Sequence, residues 1–264
     1  MADVCIEDRF HFDLNGFVLL KNVLSKIECQ DMCNVLTRLE GQDYEDVWME
    51  EKGEGLPTKV LSREGQVRLN GLPRLDPIFD QLIAHPTIVP YLNNFVQKPQ
   101  LINSWSISKF KGAVEGGWHR GIDPTDYSCR QGIIRSRMLN VVFLLTDNGP
   151  EDGCVVAIPG SHKNNIDLNW RDYKGLDMPG AVPVTGKAGD VFLFSEAVIH
   201  NGLFKSTDGV RTNLYYNYVH AHYNVMMREP KNCHHFYFPE GLRDRFDDDQ
   251  KAMTAWMEFV KWDY

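Results

Sequence analysis

Lys187-Ala188-Gly189-Asp190, followed by Val191-Phe192-Leu193-Phe194-Ser195-Glu196-Ala197-Val198-Ile199-His200-Asn201-Gly202, reads as a turn and then a β-rich apolar run that closes on a histidine. Gly and Asp suit the turn, while Val and Phe favour a buried, pleated strand. The same punctuation recurs through the second half of the chain. Short runs at 101–110, 139–145, 154–158, 181–184, 191–194 and 212–220 are separated by turn clusters such as Asp147-Asn148-Gly149-Pro150 and Pro159-Gly160-Ser161. No regular helices intervene between these runs. That pattern predicts a sandwich or barrel rather than a parallel βαβ sheet.

The first half differs in texture. Ser25-Lys26-Ile27-Glu28 has capping-box spacing, and Ile27, Met32, Val35, Leu36 and Leu39 follow a helical period, so a helix is expected over about 26–40. Before it, Gly16 breaks an opening segment, and Phe17-Val18-Leu19-Leu20 reads as a strand. Residues 41–57, rich in Gly and charge, read as an exposed excursion. Residues 77–92 read as two short helical pieces broken at His85-Pro86 and at Pro90, and the 246–264 tail as a closing helix. One domain over 1–264 is expected: a helical flank to about 98, a β core over about 99–222, and a helical tail.

Composition limits the function classes. The chain has 264 residues, 43% hydrophobic and 24% charged, which suits a folded globular protein and not a disordered one. Its net charge of −8 argues against nucleic acid or an anionic membrane as partner. No run approaches a membrane span, and Met1-Ala2-Asp3-Val4-Cys5-Ile6-Glu7-Asp8 lacks the layout of a signal peptide, so a cytoplasmic location is expected. The six cysteines are widely spaced and read as reduced, mostly buried thiols. The expected partner is a small molecule, and nothing in the sequence sets the oligomeric state.

Two histidines stand at strand ends far apart in the chain: His119 in Gly116-Gly117-Trp118-His119-Arg120-Gly121, and His200. Imidazole suits iron, zinc and copper alike, so a mononuclear metal is indicated without naming the ion. Arg211 lies eleven residues after His200, at the start of the next apolar strand. An arginine turned into a β-barrel needs an anion, and its planar fork suits a carboxylate. Alternation from Arg211 puts Asn213 and Tyr215 on its face, with Asn140 and Val142 on an opposing strand. Trp105, Trp118, Arg120, Trp170 and Tyr173 are candidate pocket residues. His162 is read as a turn residue, and His220, His222, His234 and His235 as surface or pocket-mouth residues.

The chain resembles the phytanoyl-CoA dioxygenase family of iron(II)/2-oxoglutarate-dependent oxygenases. The resemblance rests on Asp13-Leu14-Asn15-Gly16-Phe17-Val18, on Leu82-Ile83-Ala84-His85-Pro86, on Asp152-Gly153-Cys154-Val155-Val156-Ala157-Ile158-Pro159-Gly160-Ser161-His162-Lys163, and on the order Gly189-Asp190-Val191, His200, Arg211. It implies a mostly β fold with flanking helices, the double-stranded β-helix or jelly roll, cupin-like. It implies that His119 and His200 are iron ligands and that Arg211 grips the distal carboxylate of 2-oxoglutarate, with O2 as the second cosubstrate; the alternation from Arg211 then puts Asn140 and Tyr215 beside the cosubstrate.

One position departs from the family. The usual site adds a carboxylate two residues after the first histidine, and here that residue is Gly121. Loss of this carboxylate marks the halogenases of the superfamily, in which chloride takes the open slot and is transferred to carbon in place of hydroxyl. Other readings stand beside chlorination. Asp123 or Asp126 supplies the carboxylate from a shifted position, helped by the turn at Asp123-Pro124; water fills the slot and the enzyme hydroxylates; or the site is silent and only binds a metabolite. A non-redox jelly roll using zinc is the remaining alternative, one that has no use for Arg211.

Overall fold

A computed structural model of the chain describes residues 4–43, 59–164, 168–222, 238 and 241–255. The opening helix α1 (Ile6–Asn15) stops at Gly16 in the left-handed region and turns directly into strand β1 (Phe17–Leu20). Helix α2 (Lys26–Glu40) begins with the expected capping box: the Ser25 hydroxyl accepts from Glu28 N at 3.2 Å, and Ser25 N donates to Glu28 Oε2 at 2.7 Å. Its buried stripe of Cys29, Met32, Leu36 and Leu39 is the face its periodicity predicts. Of the five cysteines among the described residues all are free thiols, and burial pushes Cys29 and Cys33 up to about 11.

Strands β1, β2 (Lys59–Arg63), β3 (Gln66–Asn70), β4 (Pro99–Lys109), β7 (Met138–Leu144), β10 (Val191–Ser195) and β12 (Arg211–His220) form one antiparallel sheet, in the order β1-β10-β7-β12-β4-β3-β2. Strands β8 (Val155–Ala157), β9 (Val182–Pro183) and β11 (His200–Gly202) form a second, in the order β11-β8-β9, and β5 (Tyr127–Arg130) pairs with β6 (Ile133–Ser136) as a hairpin. The two sheets face one another, and this is the jelly roll. Its interior holds Val142, Leu144, Val155, Ala157, Phe192, Phe194, Val198 and Tyr215. The other face of the large sheet presents Leu139, Val141, Phe143, Leu193, Leu214, Tyr216 and Tyr218 to Phe12, Met32, Leu36, Phe79 and Leu92 of the helical layer. Strands β7, β10 and β12 are thus buried on both faces, which is why β7 and β10 read as nearly continuous apolar runs, while β12 carries Arg211, Asn213 and Asn217 on its interior face.

The N-terminal flank is not purely helical. The β2–β3 hairpin extends the large sheet beyond β4, with Gln66 opposite Lys109, Arg68 opposite Ile107 and Asn70 opposite Trp105. These three polar residues share the face that continues the barrel interior, so β3 lacks the apolar alternation that announces a strand. The 77–92 segment divides as expected into a 3-10 helix (Pro77–Leu82) and helix α3 (Val89–Phe95), but Pro90 does not break it. It occupies the first turn of α3, where a missing N–H costs nothing. Helix α4 (Asp248–Met253) supplies part of the expected closing helix; 256–264 and most of the 41–57 excursion lie outside the described residues. Among the described residues no helix is long and apolar enough to cross a membrane.

Candidate metal and cosubstrate site

Residues 116–121 run antiparallel to 196–202 and extend the small sheet past β11. Gly116 N donates to Gly202 O at 2.8 Å, His119 and His200 exchange backbone bonds of 3.0 and 2.9 Å, and Gly121 N donates to Glu196 O at 2.8 Å. This pairing brings two histidines 81 positions apart in sequence to ring centroids 4.2 Å apart. Each imidazole is oriented by the carbonyl two residues before it: His119 Nδ1 lies 2.8 Å from Gly117 O, and His200 Nδ1 lies 2.9 Å from Val198 O. A carbonyl can only accept, so each Nδ1 carries a proton, and a neutral imidazole so placed keeps its lone pair on Nε2. That is the tautomer a metal requires, fixed from behind in the usual way. Burial holds His200 down to about 4 against the opposing Val198 carbonyl, so it is neutral at pH 7. Phe194 closes one side edge-on at 4.7 Å.

Glu196, at the end of β10, is 5% exposed. Its Oε1 accepts from Asn140 Nδ2 at 2.8 Å, and its Oε2 stands 4.0 Å from His200 Nε2. A Cβ placed on Gly121 would lie 2.5 Å from that same Oε2. The Glu196 carboxylate therefore occupies the space that a side chain at position 121 would take. Among the described residues no three His, Cys, Asp or Glu side chains stand as placed in a group that could hold a metal ion. The residue escaped the sequence reading, although a lone carboxylate inside the run 191–199 was the available signal.

Asp123 is placed differently. It is exposed, and its carboxylate accepts from Thr125 N at 2.8 Å and Thr125 Oγ1 at 2.7 Å, capping the turn Pro124–Asp126. Those bonds from Thr125 hold its carboxyl below the usual range. Asp126 faces Arg137 at 3.6 Å. Neither folds back toward the imidazoles as the shifted-carboxylate reading requires.

Arg211 is 2% exposed and opens β12 on the interior face, in line with Asn213, Tyr215 and Asn217. Its Nη2 donates to Gly153 O at 2.8 Å, and its buried Nε has no partner. A buried guanidinium with an unspent donor suits a carboxylate, so the residues fit 2-oxoglutarate as well as a metal. Tyr215 stacks flat on Trp105 with centroids 5.2 Å apart, and the Arg68 guanidinium lies over Trp105 at 4.6 Å. Trp105 is thus an interior wall. Trp118 and His119 line an open pocket with Trp170 and Tyr173, and Arg120 lies over the Trp170 ring at 4.7 Å. His220 and His222 line a separate groove with Arg135 and Arg137; His234 and His235 lie outside the described residues.

His162 is structural. It is fully buried, with Tyr127 edge-on at 4.3 Å and Nε2 3.2 Å from Asp13 O. Burial, aided by Lys163 and opposed by Asp13, pulls it down to about 4. The unfolded chain then takes up a proton near pH 6.5, well before the native state does. The sign follows: the folded protein loses stability as pH falls from about 6.5 toward 4. Between pH 7.5 and pH 5 the loss from this group is about 2 kcal/mol. Glu196, raised by burial, contributes with the opposite sign. Urea midpoints at both pH values should therefore show a smaller acid loss in His162→Gln than in the wild type, and equal losses would contradict this account.

Comparison with known proteins gives a consistent picture. The family model described as phytanoyl-CoA dioxygenase (PhyH) matches residues 12–213. The chain is 24% identical over 252 residues to dioxygenase af480 of Aspergillus fumigatus, covering 93% of this chain and 75% of the relative. It is 28% identical over 126 residues to ectoine dioxygenase of Stutzerimonas stutzeri, a match spanning 39% of this chain and only 41% of that relative's length. Among solved structures it is similar to HygX from Streptomyces hygroscopicus with nickel and 2-oxoglutarate bound, at a TM-score of 0.71 and 19% identity over 92% of this chain and all of HygX. It is also similar to the epimerase SnoN from nogalamycin biosynthesis, at a TM-score of 0.59 and 19% identity, covering 81% and 80% of the two chains. At these identities the two structures speak for the fold.

Proposed function

We propose, from the premise that this chain belongs to the phytanoyl-CoA dioxygenase family, that it is an iron(II)- and 2-oxoglutarate-dependent oxygenase that hydroxylates an unactivated C–H bond of a small molecule. The observation that carries this reading is the pair of imidazoles at 4.2 Å, each with its Nδ1 tied to a carbonyl of its own strand. Iron with 2-oxoglutarate and O2 supplies the oxidising chemistry, and the protein supplies binding, orientation and exclusion of water.

His119 and His200 hold the metal in this reading. Arg211 takes the distal carboxylate of 2-oxoglutarate, with Tyr215 and Asn140 on the same interior surface. The pocket of Trp118, Trp170 and Tyr173 opens on His119, and it is where a substrate would bring its reacting carbon to the metal. HygX has also been solved with hygromycin B, and that likeness supports a small organic substrate here.

Chlorination is the second reading, favoured by the missing carboxylate at Gly121. Glu196 weighs against it, because its buried carboxyl group fills the space that a side chain at position 121 would take. The test is anaerobic reconstitution with Fe(II) and 2-oxoglutarate, followed by O2 with and without chloride. The expected result is a visible charge-transfer band that needs both components, then O2-dependent succinate formation that is indifferent to chloride. Protein that binds zinc tightly and gives neither band nor succinate would overturn the oxygenase reading in favour of the non-redox jelly roll.

A further inference from the structure

We infer that Glu196 supplies the carboxylate that Gly121 lacks, so that the metal is held by His119, His200 and Glu196; the inference rests on the histidine site proposed above. The first argument is spatial. Gly121 N and Ile122 N both donate to Glu196 O, at 2.8 and 3.3 Å, so the two backbones lie against each other. The Cβ that position 121 does not have would stand 2.5 Å from Glu196 Oε2 and 3.2 Å from both Cβ and Cδ of Glu196. Glycine at 121 and glutamate at 196 are therefore complementary: one makes the room that the other fills.

The second argument is electronic. His200 Nδ1 is committed to Val198 O, so the nitrogen facing Glu196 is the lone-pair nitrogen. A carboxylate oxygen at 4.0 Å from it is too far for a proton to bridge as a hydrogen bond. Two electron-rich atoms facing each other across a buried gap are stabilised by a cation between them. Donors at about 2.1 Å from one ion stand roughly 3 Å apart at right angles. The observed gap is about 1 Å wider, which a small rotation of the flexible Glu196 side chain closes. Asn140 fixes Oε1 and leaves Oε2 on the histidine side. The glutamate's longer side chain also explains how a carboxylate from the turn before the second histidine can do what an aspartate two residues after the first does elsewhere. With the position filled, no open slot for a halide remains.

The test measures binding of Co(II) alone to the full-length protein, which needs no substrate and no turnover. Glu196→Gln keeps the shape and removes the charge, and is expected to raise the Co(II) Kd at least tenfold with an unchanged melting temperature. Glu196→Ala should be as weak or weaker, and Glu196→Ala combined with Gly121→Asp should recover most of the loss, because the carboxylate returns from the other side. Chloride should leave the wild-type Co(II) spectrum unchanged and should perturb that of Glu196→Ala. If Glu196→Gln and Glu196→Ala bind Co(II) as tightly as the wild type while His200→Ala does not, the inference about Glu196 fails and the histidine site stands. If His200→Ala also binds normally, both fail together.

Discussion

Arg211→Ala is expected to weaken 2-oxoglutarate binding by about 2–5 kcal/mol, roughly thirtyfold to several thousandfold in Kd. The expectation follows from burial. Arg211 is 2% exposed, so a carboxylate seated against it is removed from water and depends on this partner for its charge. Nη2 is held by Gly153 O, and the unpartnered Nε is a donor left for a ligand. Arg211→Lys should recover only part of the loss, since one ammonium cannot serve both Gly153 O and two carboxylate oxygens in a planar fork. Lys109 and Lys205 are buried as well, but each is already engaged. Lys109 Nζ donates to Leu203 O at 2.6 Å, and Lys205 Nζ donates to Thr207 Oγ1 at 2.6 Å. Titrating 2-oxoglutarate into the anaerobic Co(II) protein separates the effects: metal affinity should hold while cosubstrate affinity collapses. Unchanged cosubstrate affinity would show that another cation does the anchoring.

What the sequence made legible and what it hid divide along one physical line. The doubly buried strands β7 and β10 announce themselves because both faces are largely apolar, and α2 because its cap and its stripe agree. Strand β3 was hidden because its interior face carries Gln66, Arg68 and Asn70, so its alternation is polar against partly apolar. The same blindness applies at the site. His119 and His200 can be picked out as residue types with a chemistry, but the carboxylate beside them comes from a residue whose position relative to Gly121 is set only by strand pairing. Sequence spacing pointed to Asp123, two residues beyond the glycine. The chain instead bends there into a capped turn that spends the Asp123 carboxylate on Thr125. Contacts across a sheet have no fixed sequence offset, and a substitution compensated across strands is invisible until the register is known.

Gly16→Ala is expected to destabilise the protein by about 2–5 kcal/mol and to weaken metal binding although Gly16 is not a ligand. Two costs add. The backbone at Gly16 has φ +84°, ψ +6°, where a Cβ costs about 1–2 kcal/mol. That Cβ would also lie 2.4 Å from Val198 Cγ2 and 2.5 Å from His162 Nδ1, and overpacking of this kind costs about 1–3 kcal/mol. The damage should reach the site because Gly16 O accepts from Ser195 N at 2.9 Å and Val198 O orients the His200 ring. Pushing Val198 aside therefore moves the group that fixes the metal-binding tautomer. Gly160→Ala is the matched control. Gly160 is also left-handed, at φ +78°, but the nearest atom to its added Cβ is Leu14 O at 3.6 Å, so only the backbone cost applies. Thermal melts and Co(II) titrations of the two variants should thus diverge, with Gly160→Ala mildly destabilised and normal in metal affinity. Equal losses in both would mean that the packing of Gly16 against Val198 and His162 contributes nothing, and that the histidine-bearing turn holds its shape without the N-terminal helix docked against it.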